Sequence, residues 1–165
     1  MSVKTTVYFP TPEEVVVKML EMANAEKHDV LYDLGCGDGR VLIIAAKKRG
    51  LRCVGVEIKQ DLVEQARKKV AEEGLQDLIE IYQGDMFQFD ISNATIVYLY
   101  LTTELNAQLR PKLEKELKKG TRVISHQFEI PGWKPMKVEG VADFFGQTHR
   151  LYLYVIGESN TTLTP

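Results

Sequence analysis

Residues 33–39 read Asp-Leu-Gly-Cys-Gly-Asp-Gly and constrain this chain more than any other stretch. A short apolar run precedes them (Val30, Leu31, Tyr32), and an apolar helical pattern follows (Val41, Leu42, Ile44, Ala45). A glycine-rich loop between a buried strand and a helix brings bare backbone to a ligand above the strand end. The spacing is G-x-G-x-G, with Asp33 just ahead of the first glycine and Asp38 just ahead of the last. Anionic pyrophosphate groups bind helix N-termini, and acidic neighbours oppose them. Two aspartates in this loop suit a ligand that carries a cation and an amine instead.

The same alternation recurs downstream. Strands are expected over 30–34, 51–56, 79–83, 94–99 and 123–127, with helices over 40–49, 60–73 and 104–118 between them. Gly50 and Gly74 are helix stops, and Pro111 should kink or restart the third of these helices. An earlier helix starts at Thr11-Pro12-Glu13-Glu14, where Thr11 can cap and Glu14 can complete a capping box. After residue 127 the helices stop. Residues 137–143 and 150–157 read as two strands joined near Gly146. The expected fold is α/β, a Rossmann-like doubly wound and mostly parallel seven-stranded sheet with a C-terminal antiparallel hairpin. A length of 165 residues suits one domain, with residues 1–11 as an N-terminal arm and 158–165 as a frayed tail.

Three markers fall at strand ends, where open parallel sheets bind ligands. The glycine loop follows the first strand. Glu57 ends the second, roughly 18 residues beyond Gly39, and can accept hydrogen bonds from two ribose hydroxyls. Gly84-Asp85-Met86 follows the third; there Asp85 can take an adenine amino group while Met86 packs on the ring. S-adenosylmethionine, with its sulfonium and α-ammonium, answers all three. Blander roles compete at each position. Glu57 can be a solvated acid, Asp85 a turn former, Cys36 a small packed residue, and His126 and His149 structural groups within strands. Trp133, between two prolines, reads equally as a loop anchor or as part of a substrate surface.

Composition excludes several classes. Net charge is −2, from 21 basic and 23 acidic residues, so no direct nucleic-acid binding and no membrane attraction are expected. The two cysteines, Cys36 and Cys53, suit free thiols in a reducing compartment, and cytoplasmic residence is the default expectation. Three scattered histidines give no metal-ligand spacing, so no metal is expected.

The array Asp-Leu-Gly-Cys-Gly-Asp-Gly, Val-Gly-Val-Glu (54–57) and Gly-Asp-Met (84–86) resembles the class I, seven-stranded S-adenosylmethionine-dependent methyltransferases. Further segments narrow the likeness to the small archaeal protein-lysine methyltransferases. These are Tyr8-Phe9-Pro10-Thr11-Pro12, Pro111 to Lys118, Gly120 to Val123, Ser125 to Ile130, Gly132-Trp133 and Tyr152 to Glu158. A remoter similarity is to mitochondrial methyltransferases of the ATP synthase c-subunit lysine. The resemblance covers nearly the whole chain. It implies methyl transfer to surface lysine ε-amines with a broad range of protein substrates, chromatin proteins among them, by a monomer. A class I enzyme acting on RNA or a small molecule is the alternative. The implied cofactor-binding residues are Tyr8, Phe9, Thr11, Asp33, Leu34, Gly35, Cys36, Gly37, Asp38, Gly39, Glu57, Ile58, Gly84, Asp85, Met86 and Tyr98. The acceptor channel is expected at Tyr98, Tyr100 and Thr102. Residues 98–102 read Tyr-Leu-Tyr-Leu-Thr and lack the Asn/Asp-Pro-Pro-Tyr/Phe of enzymes that methylate nucleic-acid amines. No dedicated base is expected, with bulk water or hydroxide taking the proton.

Overall fold

Helix α1 (Glu13–Met22) comes before the first strand. The computed structural model describes residues 10–160, and in it the expected alternation is built almost residue for residue. Strand β1 (Val30–Leu34) enters the glycine loop and helix α2 (Arg40–Arg49) leaves it, closed by Gly50 in the left-handed conformation. Then come β2 (Arg52–Glu57), α3 (Gln60–Glu72), β3 (Ile79–Gln83), β4 (Ile96–Leu99), α4 (Thr103–Glu116), β5 (Arg122–His126), β6 (Lys137–Ala142) and β7 (Thr148–Val155).

The sheet has seven strands in the order β3-β2-β1-β4-β5-β7-β6. The first five strands are parallel, and β7 runs antiparallel between β5 and β6. The winding direction reverses between β1 and β4. Ligands bind open α/β sheets in the crevice outside that reversal. Its two tips carry Asp33 and Tyr98, which are register partners.

Alternation along each strand sorts side chains to two faces. On one face α1, α2 and α3 cover Leu31, Tyr98 and Leu151 with Val16, Leu42 and Val63. On the other, α4 covers Tyr32, Val97 and Tyr154 with Leu109 and Leu113. Each fully buried aliphatic side chain contributes roughly 1.5–3 kcal/mol. Gly55 in β2 is forced by this packing: a Cβ there would lie 2.7 Å from both Cys36 Sγ and Leu42 Cδ1.

Several expectations are corrected. Thr11 does not cap α1; Pro12 holds the cap position without a side-chain bond, and the Thr11 hydroxyl reaches Tyr98 instead. Pro111 does not restart α4, which runs through it as one helix. Ala107, whose carbonyl loses its partner, and Pro111 both lie on the exposed face, where that carbonyl is open to solvent. Residues 158–160 do not fray, because the Val155 amide donates to Ser159 Oγ at 2.9 Å and the Gly157 amide to Asn160 Oδ1 at 2.7 Å. Trp133 is an anchor: its indole Nε1 donates to Glu114 at 2.7 Å and its ring tilts onto Tyr154.

Candidate cofactor and acceptor site

The loop after β1 is shaped by its glycines. Gly35, Gly37 and Gly39 all have positive φ, at 87°, 57° and 83°. L-residues with side chains avoid that region. The turn lets the Gly35 and Cys36 amides donate to the Val56 carbonyl at 2.8 and 3.0 Å, which ties the loop to the end of β2. Next, the Gly37 amide donates to Glu57 Oε1 at 2.9 Å, and the Lys59 amide donates to Glu57 Oε2 at 3.0 Å. One carboxylate thus holds the loop and the start of α3 together. The Gly84 amide donates to the Glu57 carbonyl at 3.0 Å and brings the end of β3 alongside.

Asp33 stands under this loop at 3 % exposure. Burial, and then the negative charge of Glu57, push its carboxyl up to about 8, with no hydrogen bond from a described residue to offset them. A buried acid in that state is poised to ionise against a cation. The glycine cradle, the two buried acids and Asp85 therefore match the donor and acceptor set of a cationic, amine-bearing nucleoside ligand.

Several expected residues also have partners within the protein. One Asp38 oxygen accepts from the Arg40 amide and the other meets Lys69 Nζ at 2.5 Å, pinning α2 to α3. Cys36 lies buried against Gly55, and burial raises its thiol pKa well above the ordinary range, as befits a small packed residue. Leu34 is fully buried as packing, whereas Ile58 is 65 % exposed beside Glu57. Asp85 uses Oδ1 to accept from the Phe87 amide at 2.9 Å, so it shapes the turn after β3. Met86 is half-buried against the α4 side of the core. Tyr8 and Phe9 lie outside the described residues.

The acceptor residues divide likewise. Thr102 is the N-cap of α4, its Oγ1 accepting from the Leu105 amide at 3.1 Å, and this commits it to structure. Tyr98 is 1 % exposed, with its hydroxyl 3.0 Å from Thr11 Oγ1 and 2.7 Å from His126 Nδ1. Burial drives its phenol well above the ordinary value. Tyr100, half-buried, stacks on His126 with ring centroids 3.8 Å apart. His126 in turn meets His149, and His149 meets Asp143. No local sequence signal marks this histidine pair, because strand pairing brings its members together.

Residues 33–137 match the family described as the ANTKMT methyltransferase domain. The chain is 50% identical over 152 residues to a protein-lysine N-methyltransferase of Saccharolobus islandicus (strain REY15A), covering 92% of this chain and 94% of that one. It is 37% identical over 127 residues to the ATP synthase c-subunit lysine N-methyltransferase of Homo sapiens, covering 77% of this chain and 52% of that one. Among solved structures it superposes with a TM-score of 0.85 on one described as an RNA methyltransferase from Salinibacter ruber in complex with S-adenosyl-L-homocysteine. Identity there is 46%, over 95% of this chain and 100% of that one.

Proposed function

We propose, from the premise that this chain belongs to the ANTKMT methyltransferase-domain family, that it is an S-adenosylmethionine-dependent protein-lysine N-methyltransferase. One observation carries the reading: the buried acids Asp33 and Glu57 flank a loop with three positive-φ glycines at the reversal of the sheet. Its nearly full-length likeness to the Saccharolobus islandicus enzyme supports lysine as the acceptor.

When bound, S-adenosylmethionine supplies a methyl group already activated on a sulfonium sulfur. The protein's part is to bind, orient and desolvate. Asp33 faces the cationic portion, Glu57 keeps lone pairs for ribose hydroxyls, and Asp85 with Met86 takes the base. The acceptor amine must arrive neutral. A lysine with pKa near 10.4 holds its proton at pH 7 by roughly 4.6 kcal/mol. Half-buried Tyr100, stacked on His126, strips water from the entering side chain, which favours the neutral amine. Beyond the cofactor fold, the acceptor surface is formed by the residues after β4 and the loop over 128–135. A shallow surface of that kind suits lysines on many proteins, including chromatin proteins, and a monomer suffices for it.

A second reading, methyl transfer to RNA, is favoured by the description of the Salinibacter ruber structure. The net charge of −2 supplies little of the electrostatic footprint that RNA binding requires. Radiolabelled S-adenosylmethionine offered to protein, RNA and metabolite fractions decides between them. Label on protein lysines is expected, and label confined to RNA would replace this reading with the second.

A further inference from the structure

The β6–β7 hairpin outruns the rest of the sheet. Asp33, Tyr98, Ile124 and Leu153 stand at one level across β1, β4, β5 and β7. Strand β5 ends at His126, opposite Leu151, whereas β7 starts earlier in the chain, at Thr148, paired there with Ala142 of β6. Thr148 lies roughly five strand positions past Leu153, which sets the turn about 17 Å beyond the Asp33–Tyr98 level. Because β7 runs antiparallel to β5, this projection is on the side where the parallel strands end and the candidate site lies.

Two phenylalanines form its tip. Phe144 and Phe145 are 89 % and 88 % exposed, with ring centroids 5.7 Å apart at 88°. Single exposed apolar residues are ordinary, but an adjacent aromatic pair at the end of a projecting hairpin makes a patch for a partner. The turn beneath them is ordered from within. Asp143 Oδ1 accepts from the Phe145 and Gln147 amides, both at 2.9 Å. The Asp143 amide donates to the Gln147 carbonyl at 2.8 Å, and the amide of Gly146, at φ 82°, donates to the Asp143 carbonyl at 3.0 Å. These bonds run through Asp143 and the backbone, so the turn forms without the two rings.

The turn is also tied to the acceptor residues. Asp143 Oδ2 meets His149 Nε2 at 2.8 Å, and His149 Nδ1 meets His126 Nε2 at 2.8 Å. Tyr100 stacks on that His126 ring. The aromatic tip and the ring that lines the acceptor channel therefore belong to one bonded unit.

We propose that Phe144 and Phe145 are a docking tip for the acceptor protein, seated on an apolar segment of that protein near the lysine that enters at Tyr100. The proposal rests on the lysine reading above. Position selects this occupant: a partner held at the tip lies on the site side of the sheet, and about five extended residues span 17 Å. Charge selects it too. Residues 140–149 hold one carboxylate, Asp143, and no lysine or arginine. The tip thus lacks the cations that draw a protein segment to anionic lipid. Aromatic rings contribute to interfaces through buried area rather than a fixed set of hydrogen bonds, so one tip serves many substrates.

The test offers S-adenosylmethionine and two synthetic peptides, each with a single lysine, to wild type and to Phe144→Ser/Phe145→Ser. In one peptide Leu-Phe-Leu stands about five residues from the lysine on both sides; in the other Gly-Ser-Gly replaces each segment. Wild type is expected to show a KM about tenfold lower for the apolar peptide, with similar kcat. The double variant should lose that preference, methylate the Gly-Ser peptide within about twofold of the wild-type rate, and bind S-adenosylhomocysteine as wild type does. Equal KM for the two peptides in wild type, or a preference that survives in the variant, would overturn the docking tip while methylation of either peptide left the lysine reading intact. A wild-type dimer in sedimentation velocity that the variant loses would overturn it by assigning the tip to a second copy of the chain. Pelleting with mixed phosphatidylcholine–phosphatidylserine vesicles that the variant loses would overturn it in favour of a lipid surface. No wild-type transfer to either peptide would sink both readings.

Discussion

Asp33 and Tyr98 are register partners across the β1–β4 pairing, at the point where the strand order reverses. One is a buried carboxyl lifted to about 8, and the other a buried phenol held in a hydrogen-bonded chain. Cofactor recognition and acceptor handling therefore meet at two adjacent strand tips.

The raised carboxyl makes the ligand-free protein pH-sensitive. Its folded pKa lies above the ordinary 3.8, so the folded state keeps a proton that the unfolded chain has lost. The contribution is fully present below about pH 4 and is lost as pH rises toward 8. Asp33→Asn removes that dependence. Its stability relative to wild type should rise by roughly 1 kcal/mol per pH unit between pH 5 and 8, then level off, as read by urea unfolding. A flat difference would mean that Asp33 is ionised throughout.

Glu57 holds the loop through Gly37 and the start of α3 through Lys59. Glu57→Ala leaves two amides without their acceptor. A loss of about 1–3 kcal/mol in stability is expected by thermal unfolding, together with a loss of cofactor affinity beyond tenfold by calorimetry. Unchanged affinity would remove Glu57 from the site.

Tyr100 tests whether the channel needs a hydroxyl. Tyr100→Phe keeps the stack on His126 and should cost only a few-fold in rate. A collapse near 10³-fold would assign the Tyr100 hydroxyl an essential part.

Thr102→Ala separates capping from chemistry. Loss of the bond from the Leu105 amide should cost about 1 kcal/mol in stability, and the rate per folded molecule should stay within a few-fold of wild type.

Gly55→Ala would place a Cβ 2.7 Å from Cys36 Sγ and Leu42 Cδ1. Overpacking of this kind should cost about 1–3 kcal/mol by denaturant unfolding. A neutral result would mean that α2 moves freely against β2.

Local patterns carried much of this in the sequence. The β1–loop–α2 junction, the Gly50 stop and the acids at 33 and 57 depend on neighbouring residues, and they stand where they were expected. Partners set by the fold stayed hidden. Thr11 reads as a cap until β4 presents Tyr98 to it. The pairing of Asp38 with Lys69 is invisible until α3 lies beside the loop. Likewise, His126, His149 and Asp143 become neighbours only because β7 inserts between β5 and β6. Register of that order is a property of the whole sheet, not of any window along the chain.

Calorimetric titration of the purified protein with S-adenosylhomocysteine, beside Asp33→Asn and Glu57→Ala, tests the central claim most directly. One molecule should bind per chain, with affinity rising toward pH 8 and strongly weakened in both variants. The absence of any binding heat in the wild type, or equal affinity in all three proteins, would contradict it.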